Sequence, residues 1–191
     1  MYTEQEIVDI FKKYEALCEG HFLLSSGKHS AKYLQCALVL KEPKIAEKLG
    51  NALALKFKDE KIDKVVGPAM GGIIIAHEVA RALNVPALFS EREQGEMTFR
   101  RGFSLKEGER ILVVEDVITT GLSVREVITV IQRQQALVVG VGSLIDRGEG
   151  VDFSVTKKSL CTLEVATYES EKCPLCKDNI PVIKPGSRKI S

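Results

Sequence analysis

Nothing in the sequence narrows the architecture as much as Ile111-Leu112-Val113-Val114. This apolar run stops at two adjacent carboxylates, Glu115 and Asp116, and continues through Thr119-Thr120-Gly121 into a helical pattern from about Ser123 to Gln135. A strand with no polar face has to be covered on both sides, as in parallel sheets sandwiched between helices. The alternation recurs along the chain. Lys64-Val65-Val66 leads through Gly67-Pro68-Ala69-Met70-Gly71-Gly72 into a helix ending near Leu83; Pro86 to Phe89 and Leu137 to Ile145 read as further strands. Such strands joined by helices are βαβ units, so the expected class is α/β, a mostly parallel sheet flanked by helices.

The flanking segments are plainer. From Thr3 to Leu17, apolar residues recur at helical spacing (Ile7, Ile10, Phe11, Tyr14, Leu17), with Thr3 as N-cap and Glu6 completing a capping box. His21 to Leu40 mixes short β-like runs with a turn at Ser26 to Ser30, and Pro43 opens a second helix to about Phe57. Ser90 to Glu109 is charged and weakly periodic, and so is the tail from Tyr168 to Ser191. With 191 residues, a single domain over 1–191 is expected. The net charge of +1 gives no electrostatic case for a nucleic-acid or membrane partner. The N-terminus lacks the apolar core of a signal peptide and Ala136 to Ile145 is too short to span a bilayer, so a soluble, cytoplasmic protein is expected.

The acid pair and the loop behind it carry the chemistry. Ligands of open parallel sheets bind at the C-terminal edge of the strands. There Thr119, Thr120 and Gly121 aim hydroxyls, backbone N–H groups and a helix start at one spot, the parts of a phosphate cradle. Carboxylates beside a phosphate need another purpose: a ribose diol or a Mg²⁺ ion supplies one. Ile111 to Ser123 resembles the binding motif for phosphoribosyl pyrophosphate (PRPP) of the type I phosphoribosyltransferases. The resemblance implies that Glu115 and Asp116 hold the ribose diol and that Thr119, Thr120, Gly121 and Ser123 hold the 5-phosphate, with Val117, Ile118 and Leu122 also in the PRPP-binding stretch. Val66 to Ile73 is similar to the family's pyrophosphate loop, which assigns Ala69, Met70, Gly71 and Gly72 to the pyrophosphate.

Three further features resemble the orotate phosphoribosyltransferases. Phe22 to Ser30, followed by Tyr33-Leu34, looks like the segment that covers the base, so 1–40 becomes a hood over a PRPP-binding core at 60–150, with 168–191 an irregular Cys-containing tail. Arg147, after the strand ending Leu144-Ile145-Asp146, matches an arginine that pairs with the orotate carboxylate, with Thr119, Tyr33 and Leu34 also at the base. Ser90 to Gly102 falls where the family has a mobile catalytic loop that reaches the neighbouring subunit of a dimer, with Arg92 matching its first arginine. The resemblance implies Glu115, Asp116 and Arg92 as the catalytic set. It also implies Mg²⁺ as cofactor, held mainly through PRPP, with Asp116 the side chain that could add a ligand.

The chain departs from the pattern. Glu93 to Thr98 lacks the usual loop lysines and histidine, Gly71 replaces a lysine, and Ser25 stands where another lysine is common. Lys28, Arg100 and Arg101 are the candidate replacements by proximity. With the terminal Cys173-Pro174-Leu175-Cys176, the pattern resembles a divergent branch of the orotate family found in some thermophilic bacteria. Competing expectations are a purine or xanthine phosphoribosyltransferase and a non-catalytic PRPP-sensing regulator. The chain has five cysteines, and Cys173 and Cys176 have the spacing of half a zinc site. Free thiols, a labile disulfide, and a zinc site completed across a dimer or by Cys161 and a distant histidine all remain open. His21, His29 and His77 are isolated in sequence and read as satisfied polar or core residues.

Overall fold

In the computed structural model, which describes residues 2–24, 27–148 and 150–184, the expected capping box opens α1 (Glu4–Lys13). The Thr3 hydroxyl accepts from the Glu6 N–H at 3.2 Å, and the Glu6 carboxylate accepts from the Thr3 N–H at 2.7 Å. The helix stops short of Leu17, because Glu15 turns left-handed at φ 55° and Leu17 begins β1 (Leu17–Leu23). Leu17 still reaches the core, now from a strand, so its apolar character satisfied both periodicities. β1 pairs antiparallel with β2 (His29–Leu34). Ser25 and Ser26, which carry part of the predicted turn and a missing lysine position, lie outside the described residues, as does 185–191 of the tail.

A short α2 (Ala37–Leu40) leads into α3 (Pro43–Leu55), with proline in its first turn. Then come β3 (Lys64–Pro68), α4 (Gly72–Leu83) and β4 (Ala87–Glu93). Here the expected loop at 90–102 is replaced in part by a hairpin. The chain turns at Gln94-Gly95, both at positive φ (51° and 92°), and returns antiparallel as β5 (Glu96–Thr98). Two positive-φ residues suit the twist of a tight hairpin; the strands here are charged rather than apolar, so periodicity gave no warning of them.

β6 (Arg110–Ile118), α5 (Leu122–Arg133) and β7 (Leu137–Asp146) follow as expected. β8 (Lys157–Thr162) was not expected, because an edge strand starting Lys-Lys-Ser has no apolar signature. The tail supplies β9 (Thr167–Tyr168), which pairs with β2, and α6 (Pro174–Lys177).

The main sheet runs β5-β4-β3-β6-β7-β8, with β5 its antiparallel member; β1-β2-β9 form a separate antiparallel sheet, the hood. β6 shows why its apolar run was needed. Leu112 and Val114 join the core on the α3–α4 side, while Ile111 and Val113 join the core on the α5 side. β3 crosses to β4 in one direction and β6 to β7 in the other, so a crevice opens between the C-terminal ends of β3 and β6.

Candidate active site

Glu115 and Asp116 lie within the last part of β6 rather than beyond it, Glu115 buried and Asp116 half-buried. The β3–α4 turn presses against them from across the crevice. A Cβ at Gly71 would sit 2.6 Å from Asp116 Oδ2, and one at Gly72 would sit 3.2 Å from Glu115 Oε1. Gly71 has ordinary helical angles (φ −61°, ψ −41°), so space rather than backbone freedom requires glycine there. Burial pushes the Glu115 carboxyl well above its usual range, and the neighbouring Asp116 charge adds to the effect.

The hood reaches the same place. Burial raises the Cys36 thiol well above normal, and Asp116 and Glu115 raise it further. Burial and then Asp116 likewise raise the Tyr33 phenol, while Leu34 is buried beside it in β2. Cys36 was missed by sequence reasoning, since a lone buried cysteine carries no positional signal.

Behind the acids, a cavity of about 170 Å³ is lined by Glu115, Thr119, Thr120, Gly121 and Ser123, with Val117, Ile118 and the exposed Leu122 completing the wall. The first turn of α5 opens into it, with its unsatisfied N–H groups. Gly121 is required twice over: φ is +74°, and a Cβ would lie 2.7 Å from Val151 and 2.9 Å from Phe153. On the β3 side, the Ala69 N–H donates to the Ser90 carbonyl at 2.7 Å and Met70 is exposed.

Arg147 stands beside this loop. Its N–H donates to the Ile118 carbonyl at 2.7 Å, which places it beside the acid-bearing strand. Asp146, also overlooked in the sequence, fixes this corner by accepting from the Gly148 N–H at 2.9 Å and from Lys157 at 2.6 Å. The Arg147 Nε is buried with no hydrogen-bond partner among the described residues, and burial lowers the guanidinium pKa. A buried donor in this state is set up for an anionic ligand.

The chain matches the phosphoribosyl transferase domain family over residues 38–171. It is 56% identical over 188 residues to an orotate phosphoribosyltransferase of Thermoanaerobacter sp. (strain X514), covering 98% of this chain and 99% of the relative. An orotate phosphoribosyltransferase of Pelotomaculum thermopropionicum is also 56% identical, over 98% of this chain and all of the relative (100%). The crystal structure of orotate phosphoribosyltransferase from Aeropyrum pernix superposes with a TM-score of 0.69 at 28% identity, over 82% of this chain and 93% of that one. The chain belongs to the orotate phosphoribosyltransferase family.

Set in this phosphoribosyltransferase frame, the predicted site residues fall into two groups. Glu115, Asp116, the 117–123 loop and the Ala69 to Gly72 turn meet at one crevice, with Tyr33 near Asp116, the Arg147 backbone against Ile118, and Leu34 buried in the hood. The candidate cations are engaged elsewhere. Arg92 pairs with Glu126 of α5, Lys28 with Glu169 at 3.1 Å, Arg100 with Glu93 at 3.2 Å and Arg101 with Glu91 at 3.0 Å. These pairs are largely solvent-exposed and cost little to release.

The histidines need a correction. His21 and His29 are not isolated: both rings meet Cys173 and Cys176, with one donor atom from each residue within 4.8 Å of all the others. Leu23 stands opposite His29 in the β1–β2 ladder, so His21, two residues earlier, is its diagonal neighbour on the same face. The sequence showed the cysteine pair, but the histidine pair exists only through hairpin register. His77 is exposed on α4.

Proposed function

We propose that this chain transfers ribose 5-phosphate from PRPP to N1 of orotate, giving orotidine 5-phosphate and pyrophosphate in pyrimidine biosynthesis. Arg147 carries the choice of base. Its side chain is half-buried, with a buried Nε that has no hydrogen-bond partner among the described residues, and its backbone lies against Ile118 at the phosphate loop, where a carboxylate on the acceptor would give it a charge-assisted pair. A purine base has no carboxylate to offer.

In this reading, the N–H groups at the start of α5 and the hydroxyls of Thr119, Thr120 and Ser123 hold the 5-phosphate. Glu115 and Asp116 accept hydrogen bonds from the ribose hydroxyls, and the backbone at Ala69 to Gly72 approaches the pyrophosphate. As the C1–O bond of PRPP breaks, the bonding pair leaves with pyrophosphate, and the sugar gains oxocarbenium character. The two carboxylates favour that positive charge. Orotate N1 then forms the new bond to C1, having given up its proton. Tyr33 and Leu34 cover the base, and the hood limits water at the cationic carbon.

The acid pair fits Mg²⁺: two adjacent carboxylates offer hard oxygen donors, and neither is held in an ion pair among the described residues. Asp116 would add a side-chain ligand, and the ion, when bound, offsets the charge of the pyrophosphate oxygens. Arg92, Lys28, Arg100 and Arg101 would be released from surface pairs to meet the leaving group. A homodimer is part of the proposal, with 90–102 reaching the neighbouring subunit; the exposed apolar Met70 and Ile74, next to a groove lined by Ile73, Phe89 and Phe103, support it. Among the described residues no helix is long and apolar enough to cross a membrane, consistent with a cytoplasmic role.

Steady-state turnover with PRPP and Mg²⁺ tests the reading, with orotate, uracil, adenine, hypoxanthine and xanthine compared. Turnover confined to orotate is expected. Turnover of a purine would overturn the role of Arg147. PRPP binding without turnover of any base would make the chain a PRPP sensor.

A further inference from the structure

We propose that His21, His29, Cys173 and Cys176 bind one zinc ion, which fastens the C-terminal segment to the hood. The donor set is two thiols and two imidazoles, the borderline-soft combination that zinc prefers at closed tetrahedral sites. With Zn–S near 2.3 Å and Zn–N near 2.0–2.1 Å, tetrahedral ligands stand about 3.3–3.8 Å apart. Cys173 Sγ lies 3.5 Å from His21 Nε2, and Cys176 Sγ lies 3.7 Å from His21 Nε2 and 3.2 Å from His29 Nδ1. The two imidazole nitrogens are nearer, at 2.8 Å, and move apart by about half an ångström to reach tetrahedral spacing around an ion.

A second shell is already built. The Ile180 carbonyl lies 2.7 Å from His21 Nδ1, so that nitrogen carries the proton and Nε2 turns its lone pair to the other donors. Backbone from the tail thereby fixes the tautomer a metal requires.

The segment also lacks any other anchor of comparable strength. Among described residues 164–184, Cys173 alone is buried. This stretch crosses the hood from edge to edge, with β9 pairing with β2 and Ile183 bridging β1 beside Phe22. A few ladder bonds and one buried residue do not hold a segment of this length, whereas a metal contributes its binding free energy directly to the folded state. A Cys173–Cys176 disulfide would tie the tail only to itself and leave both histidines without partners for Nε2 and Nδ1 beyond each other.

The inference stands on the hood and tail alone and does not depend on which base the crevice takes. The test is metal content of the full chain purified without chelator, followed by Co²⁺ titration of the reduced, metal-free protein. We expect one equivalent of zinc per chain. The Co²⁺ complex should show the intense visible bands of a tetrahedral ion together with thiolate charge transfer. Zinc should protect Cys173 and Cys176, but not Cys18, from alkylation. Cys173→Ser combined with Cys176→Ser should abolish uptake, and His29→Ala should weaken it by at least an order of magnitude, whereas Cys18→Ser and His77→Ala should retain the full equivalent. A reduced wild-type chain that takes up no stoichiometric metal would overturn the proposal. So would metal retained in the double cysteine variant, or a Co²⁺ spectrum without thiolate charge transfer; these wild-type readouts hold even if a variant fails to fold.

Discussion

Replacing Gly71 with alanine separates catalysis from stability at a single carbon atom. The added Cβ would lie 2.6 and 2.7 Å from the two Asp116 carboxylate oxygens and 2.8 Å from Cγ. Carbon–oxygen contacts are comfortable from about 3.3 Å, so the carboxylate must retreat by roughly 0.7 Å or more. Asp116 is half-buried and faces the crevice, so it has room to swing, and alanine suits the helical angles of position 71. The stability cost of the contact is therefore offset by about 0.4–1 kcal/mol, because alanine leaves the unfolded chain less conformational freedom at a compatible φ/ψ. Turnover has no such compensation. Misplacing a reacting or charge-stabilising group by about 1 Å costs on the order of 100-fold, equivalent to about 2.7 kcal/mol of barrier. Orotate consumption should show kcat/KM down about 100-fold, while a thermal melt of the same protein moves little. Gly67→Ala provides the contrast. Its Cβ would meet the Gly72 carbonyl at 2.5 Å and the Ala76 Cβ at 2.8 Å, where backbone and core cannot yield. Overpacking there should cost about 1–3 kcal/mol, lowering Tm by roughly 2–4 °C for each kcal/mol. Wild-type kcat/KM in Gly71→Ala would refute the placement of Asp116 in the reaction. Equal losses of stability in both variants would refute the separation.

Arg147→Gln should raise KM for orotate about 10- to 100-fold, the loss of a charge-assisted pair, with PRPP affinity measured by calorimetry unchanged. Asp116→Asn should lower kcat by about 100-fold or more in a protein whose circular dichroism and melting are those of the wild type; undiminished turnover would remove Asp116 from the mechanism. Glu115 has a folded-state pKa above its unfolded value, so its stabilising contribution is complete below the ordinary carboxylate range and disappears as pH rises through the folded pKa. Ligand-free Glu115→Gln, neutral throughout, should therefore lose less Tm than the wild type between about pH 5 and pH 9, and parallel curves would contradict the assigned burial effect.

The helices and parallel strands of the core were written locally. Ile111 to Val114 has apolar side chains for both faces, and Thr3 and Glu6 cap each other within one turn, so neither needed a distant partner to be recognised. The acid pair and the Thr-Thr-Gly loop were legible because strand, turn and helix start are contiguous in the chain. Elements whose identity depends on a neighbour were not legible. β8 is an edge strand held by β7, and the β4–β5 hairpin is made of charged residues whose pairing comes from two positive-φ positions. Sequence by itself thus determined the α/β class, the strand order's building blocks and the residues at the crevice mouth, because periodicity and turn chemistry act over a few residues. Tertiary structure alone decided that Gly71 must be bare for Asp116, that the Arg147 Nε is buried with no partner among the described residues, and that His21 and His29 meet a cysteine pair more than a hundred residues away. Those relations are set by how separate strands and loops approach in space, which no local pattern encodes.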